Sequence, residues 1–274
     1  MRTLIPQIRD FVLRHAARIL VKSGTFRRHL GEFDRNLHPD FLRAAALIRN
    51  ATDEEAIFVR NLVNDTSSHA QVRQDLWILH ETRRKTGGYF VEFGATNGIA
   101  QSNTYLLERD FNWHGILAEP NPIWHADLKL NRKAEIDLRC VFRTTGARLK
   151  FAATRYPELG TILDFASEDG HAASRAEHKV IEVETVSLND LLECHGAPRD
   201  VDYISIDTEG SELEILKDFD FRRWNVTLFS IEHNALGRAS LLDRFMLERG
   251  YERRYPSYSL FDAWYRKAET AKSA

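Results

Sequence analysis

Tyr89-Phe90-Val91-Glu92-Phe93-Gly94-Ala95-Thr96-Asn97-Gly98 is the stretch whose reading decides the fold. Its first five residues are β-rich and follow the turn pair Gly87-Gly88, which suits a buried strand. Gly94 and Gly98 then let the backbone turn sharply and leave bare peptide for a ligand to approach. Residues 101–109 read as a helix, and Gly115-Ile116-Leu117-Ala118-Glu119 reads as a second strand ending in a carboxylate. Strand, glycine turn, helix, strand and acid make half of a nucleotide-binding α/β unit. In such a unit the ligand sits beyond the carboxyl ends of the strands and the second acid takes a ribose.

Charge narrows the ligand. A dinucleotide site wants GxGxxG, because a pyrophosphate rests on backbone N–H groups at a helix N-terminus. That third glycine is missing, and Glu92 stands two residues before Gly94. A carboxylate there repels pyrophosphate and attracts the α-amino group and sulfonium of S-adenosylmethionine. Glu92, Gly94 and Gly98 are therefore candidates for the methionine end of that cofactor, and Glu119 for its ribose. Ser102, Asn103 and Thr104 have two readings: contacts to the cofactor carboxylate from a helix start, which favours anions, or ordinary helix initiation.

With 274 residues, 43% of them hydrophobic, the chain can bury a full core, and one catalytic domain plus an extension is the natural count. A formal charge of -2 gives no global basic field, so nucleic acid is not expected as a partner. Cys140 and Cys194 are the only cysteines, and both fall in segments that read as buried. A reduced, cytoplasmic chain is expected. No apolar run is long enough to span a membrane. Residues 1–68 read as a helical extension with a basic row at Arg14, Arg18 and Lys22. That row fits a membrane-surface helix, or a helix packed on the catalytic domain or on a second subunit of a homo-oligomer. Thr52 and Glu55 form a capping-box signal.

Residues 69–274 form the second unit. A helix is expected over 70–85, another from Pro120 to Arg132, and a third strand over 136–142 with 148–152 beside it. Residues 154–177 read as a long loop with short helical pieces, of the kind that makes lids and substrate walls. A strand over 180–186 leads into a helix capped by Ser187 and Asp190. Val201-Asp202-Tyr203-Ile204-Ser205-Ile206-Asp207 is a buried strand that delivers Asp207 to the rim occupied by Gly94 and Glu119, and the strand over 226–231 delivers Glu232-His233-Asn234 to the same rim. Helices are expected over 212–219 and 240–249, and residues 251–265 read as a terminal hairpin.

Taken together, Gln74-Asp75-Leu76, the Phe90–Gly98 stretch, Ser102-Asn103-Thr104, Glu119-Pro120, Asn131-Arg132, Asp202 to Glu212 and Ile231-Glu232-His233-Asn234 resemble the FkbM family of S-adenosylmethionine-dependent methyltransferases, over residues 69–264. The resemblance implies an α/β, Rossmann-like class I methyltransferase fold: a mostly parallel seven-stranded sheet closed by a C-terminal antiparallel hairpin. It also implies methyl transfer, commonly to a hydroxyl of a sugar or other secondary metabolite, so a small-molecule or glycan acceptor is expected. N- or carboxyl methylation, and a non-catalytic cofactor-binding or scaffold protein, are the alternatives.

In-line transfer to a hydroxyl needs alignment and a destination for the proton. Two assignments stand side by side. In one, Asp207, Glu232 and Asn234, with His233 beside them, hold a divalent metal such as Mg2+, which suits oxygen ligands and lowers the hydroxyl's pKa. In the other, His233 is a general base without metal. Asp207 and His233 are the catalytic candidates in either case, and Glu209 and Glu212 are expected to orient the turn. A blander reading makes Glu232 and His233 part of a buried polar network. The usual class I acid that holds adenine is not evident in Val141-Phe142-Arg143-Thr144.

Overall fold

The computed structural model describes residues 67–167, 171–233 and 238–268, together with Glu54, Ile57, Phe58, Asn61, Leu62 and Asp65. α1 (Gln74–Glu81) leads into β1 (Tyr89–Phe93), all of whose residues are buried. An apolar run of this kind is what a strand covered on both faces requires. Alternation still decides which way each side chain looks. Tyr89, Val91 and Phe93 enter one core layer and Phe90 the other, where Trp77, Leu106 and Leu128 meet it. Glu92 shares the face of Phe90.

Beyond β1, the elements α2 (Tyr105–Phe111), β2 (His114–Ala118), α3 (His125–Asn131) and β3 (Glu135–Asp137) build outward, each strand parallel to the last. The chain then enters a smaller sheet made of β4 (Cys140–Phe142), β5 (Arg148–Thr154), β6 (Thr161–Ile162) and β7 (His178–Ser187). α4 (Leu188–Cys194) follows, its first turn capped by the Ser187 hydroxyl accepting from the Asp190 N–H at 3.1 Å. The return is on the other side of β1, through β8 (Asp200–Ile206), α5 (Glu212–Lys217) and β9 (Asn225–Glu232). α6 (Arg238–Leu247), β10 (Tyr251–Arg254), α7 (Pro256–Ser259) and β11 (Asp262–Lys267) complete the described chain.

Among the described residues the large sheet has seven strands, in the order β10, β11, β9, β8, β1, β2, β3. β11 is antiparallel to both of its neighbours and every other pairing in this sheet is parallel. Because the chain builds away from β1 in both directions, the order reverses between β1 and β8. A crevice opens outside the strand ends at such a switch point.

Several expectations need correction. The third strand does not run through 136–142: Asp137 Oδ1 accepts from the Arg139 N–H at 2.9 Å, and this turn splits it. β3 stays in the large sheet, whereas β4 peels away and pairs in parallel with the end of β7. β5 does not lie beside the third strand either; it pairs with β7 and β6. The helix expected from residue 101 begins at Tyr105, because Gln101 has φ 61° and the next three residues are engaged with Glu92. α1 is shorter than 70–85, starting after Arg73 at φ 65°. Cys194 is exposed at the end of α4, so only Cys140 fits the expected burial. Glu54, Ile57, Phe58, Asn61 and Leu62 are helical. The rest of the N-terminal extension, including the basic row and the capping box, lies outside the described residues.

Candidate active site

Glu92 is almost fully buried, and its carboxylate is spoken for. It accepts from Ser102 Oγ at 2.9 Å, from the Asn103 N–H at 2.7 Å and from the Thr104 hydroxyl. The Arg132 guanidinium stands 3.7 Å away with no exposed surface of its own. Arg132 also donates to Gly98 O at 3.0 Å, to Thr104 Oγ1 at 2.8 Å and to Glu108 at 3.1 Å. A buried ion pair is stable only when its remaining groups are satisfied in this way. The knot holds the loop after β1 against α3, and Gly98, at φ 81°, has no room for a Cβ, which would lie 2.6 Å from Arg132 Cγ. Glu92, Gly98, Ser102 and Asn103 thus sit beneath the loop, outside the wall of the cavity above it.

That cavity has a volume of about 570 Å³ and opens over the carboxyl ends of β1, β2, β8 and β9, a size usual for a cofactor or small-molecule site. Phe93, Gly94 and Thr96 come from β1 and its loop, and Ala118, Glu119 and Pro120 from β2. Asp207, Thr208 and Glu209 follow β8, and Glu232 ends β9. Residues 156–160 with Ile162, His171 and Ser174 form a roof, which gives the long segment expected as a lid a concrete place. Gly94, at φ 69°, is required by packing as well as by the turn: a Cβ would lie 2.3 Å from Asp207 O. The ends of β1 and β8 therefore close tightly at the cavity floor.

Glu119 is 4% exposed and its two oxygens are fixed, one by the Asn121 N–H at 2.7 Å and the other by the Thr96 N–H at 2.9 Å. Burial nevertheless outweighs these bonds and pushes its carboxyl up to about 7. On the other side, oxygens of Asp207, Glu209 and Glu232 all lie within 4.8 Å of one another. Burial and their neighbouring carboxylates, Asp262 and Glu212 among them, push Asp207 up to about 7 and Glu232 well above the carboxylate range. Glu209 is held by Arg175, which is 1% exposed and also donates to Leu159 O at 2.9 Å. Thr161 Oγ1 donates to Glu209 O at 3.0 Å, so the roof is tied to the turn after β8 at two points. Glu212 accepts from the N–H groups of Thr208 and Gly210 at 3.2 and 2.8 Å and thereby shapes that turn.

His233 is buried but does not line the cavity. Its ring Nε2 lies 3.4 Å from the Arg253 guanidinium, and burial together with that positive charge lowers its pKa. Asn234 lies outside the described residues. Of the residues singled out in the sequence, the cavity brings together Gly94, Glu119, Asp207 and Glu232.

The sequence reading missed Cys140 and Val141, which line the cavity beyond Glu119 because the strand breaks before them. Burial, with the Glu119 charge adding to it, pushes the Cys140 thiol up to about 12. The acid that does end the third strand, Asp137, turns away to Arg139 and to His195 Nε2 at 3.0 Å. The Asp137-x-Arg139 spacing was the one available signal for that turn. Gln71 and Gln101, also in the wall, were missed as well.

A large mixed sheet flanked by helices, with its cavity at the switch point, fits a methyltransferase fold. The model of the Methyltransferase FkbM domain matches residues 92–253, more than half of the chain, and the chain belongs to that family. No curated protein matches it. Among the described residues, no helix is long and apolar enough to cross a membrane.

Proposed function

We propose that the protein is an S-adenosylmethionine-dependent O-methyltransferase of the Rossmann-like class I type, acting on a hydroxyl of a sugar or secondary metabolite. The observation that carries this reading is Glu119: a buried carboxylate at the end of β2, facing a cavity, with both oxygens already aligned by backbone N–H groups. Its remaining lone pairs fit a ribose diol, and Cys140, Val141 and Phe151 offer an apolar wall for a base. The lone antiparallel strand β11 in an otherwise parallel sheet supports the class I assignment.

When bound, the cofactor supplies an electrophilic methyl group on a positively charged sulfur. The chain's own residues then have two tasks. The roof and the Gly94 turn fix the approach of the acceptor, and a group at the floor takes the hydroxyl proton. Asp207 and Glu232 reach the cavity and His233 does not, so the carboxylate pair is assigned as proton acceptor. The elevated proton affinity of both groups suits that role.

A second reading is favoured by the close approach of the Asp207, Glu209 and Glu232 oxygens. Asp207 and Glu232 would hold a divalent cation such as Mg2+, which suits hard oxygen ligands and lowers the pKa of an acceptor hydroxyl. Glu209, although near, already carries Arg175. Calorimetric titration with S-adenosylmethionine and with NAD tests the cofactor, and binding of NAD alone would overturn the proposal. Radiolabelled methyl transfer into cell-extract glycans tests the acceptor, and label in amines or esters would favour N- or carboxyl methylation. Loss of that transfer on chelation, with recovery on adding magnesium, selects the metal reading.

A further inference from the structure

Of the residues expected at the amino-acid end of the cofactor, Ser102 and Thr104 are engaged with Glu92 and Arg132, and Asn103 gives its N–H to Glu92 and its side-chain amide to Ser205 Oγ at 2.8 Å, buried and outside the cavity wall. The end of the cavity next to Gly94 must find its polar contacts elsewhere. Two amides are there: Gln71 and Gln101 line the wall beside Thr96 and Ala100. Both side chains are exposed, and neither makes a hydrogen bond to another described residue.

The backbone has been arranged to put them there. Gln101 has φ 61° and Thr96 φ 47°, a region that side-chain-bearing residues adopt only when the surroundings impose it. Ala70 bridges Gln101 in parallel, which brings Gln71 to the loop after β1. The turn that carries Gln71 is itself rigid. Asp75 accepts from Ser68 Oγ at 2.6 Å and from the His69 N–H at 3.1 Å. Gln74 accepts from the Val72 N–H at 3.0 Å and donates to Asp262 at 2.6 Å. The Gln74-Asp75 pair therefore builds the platform for its neighbour. Gln71 lies before residue 92, outside the stretch matched by the family.

We propose that Gln71 and Gln101 form a paired-amide clamp for the α-amino-acid end of the nucleoside cofactor. An amide both donates and accepts, so two of them match an ammonium and a carboxylate together, where a lone lysine or glutamate would repel one half. Among the described residues no lysine or arginine lines the cavity. The inference rests on the S-adenosylmethionine reading above.

The test is calorimetric titration of the full chain with S-adenosylhomocysteine and with 5′-methylthioadenosine, the same thioether nucleoside without its amino acid. The variants are Gln71→Ala and Gln101→Gly, glycine being chosen because it keeps the left-handed backbone. Each variant is expected to bind S-adenosylhomocysteine about tenfold more weakly, the loss of one hydrogen bond to a charged group, and 5′-methylthioadenosine as tightly as the unaltered chain. Equal loss for both ligands, or none for either, overturns the clamp. An unaltered chain that binds neither nucleoside overturns the cofactor reading and the clamp with it.

Discussion

Replacing Glu119 by glutamine removes a charge and keeps the shape, which isolates what that carboxylate contributes. Its hydrogen bonds to a ribose diol are charge-assisted, about 1.5–3 kcal/mol each. Glutamine retains one acceptor, so the net loss is about 2 kcal/mol, or roughly thirtyfold in affinity for S-adenosylmethionine. Proton linkage adds a signature. Burial raises the Glu119 carboxyl from 4.5 to about 7, so ionising it costs the folded chain about 3 kcal/mol more than the unfolded one. A raised acid contributes stability that is full below 4.5 and is lost as pH climbs through about 7. Glutamine escapes that cost but presents an N–H to one of the two backbone donors, a penalty of about 1–3 kcal/mol. The unliganded stability at pH 8 should therefore change by no more than about 2 kcal/mol. Calorimetry at pH 6 and pH 8 reads the ligand side: the unaltered chain binds more tightly at pH 8, where the carboxylate is ionised, and the variant lacks that share of the pH dependence. Unchanged affinity, or weaker affinity with the full pH dependence retained, would refute the ribose assignment.

Arg132→Ala leaves Glu92 buried without its cation and should lower stability by about 3–5 kcal/mol; urea unfolding showing a loss under 1 kcal/mol would count against the knot. Asp207→Asn and Glu232→Gln should each abolish methyl transfer while sparing cofactor binding, and His233→Ala should retain transfer. Inactivity of the histidine variant alone, with a flattened acidic limb in the pH profile, would make His233 the base. Because Glu119, Asp207, Glu232 and Asp262 are all raised, thermal melts of the unliganded chain should fall in midpoint from pH 7 to pH 8, above the range in which the lowered His80, His125 and His233 act in the opposite direction, and a midpoint that rises from pH 7 to pH 8 contradicts the burial argument.

What could be read from the chain followed the range of the interactions. β1, its glycine turn and the acid ending at Glu119 depend on neighbours in sequence, and period and turn chemistry suffice for them. The use made of Glu92 does not: its partners at Ser102 to Thr104 are local, but Arg132 arrives from α3 and claims the remaining space. A carboxylate beside a glycine turn reads as a ligand contact until that guanidinium is placed. The pattern over 136–142 reads as one strand, but a single hydrogen bond donated by the Arg139 N–H to the Asp137 side chain overrides it. Cys140 and Val141 entered the cavity through that break. His233 shows the limit of strand-end logic, since the residue after a strand can look either way, and Arg253 and Phe261 O hold this one toward the hairpin.

The chain leaves the large sheet after β3, builds the small sheet between Cys140 and Ser187, and comes back to the large sheet at β8. Cys140 stands opposite Thr185 and Phe142 opposite Ser187, so the first and last strands of the excursion lie side by side in the small sheet. Closing such an excursion costs little more as it lengthens, and Cys140, Phe151, Ile162 and Val183 give it a small core of its own, while Val141 and Val186 root it in the layer that packs on β1. The floor that holds Gly94, Glu119 and Asp207 is made of strand ends, while the ceiling is fastened to it by side chains, Arg175 on the Glu209 carboxylate and Thr161 on Glu209 O, and by no strand pairing with the large sheet among the described residues.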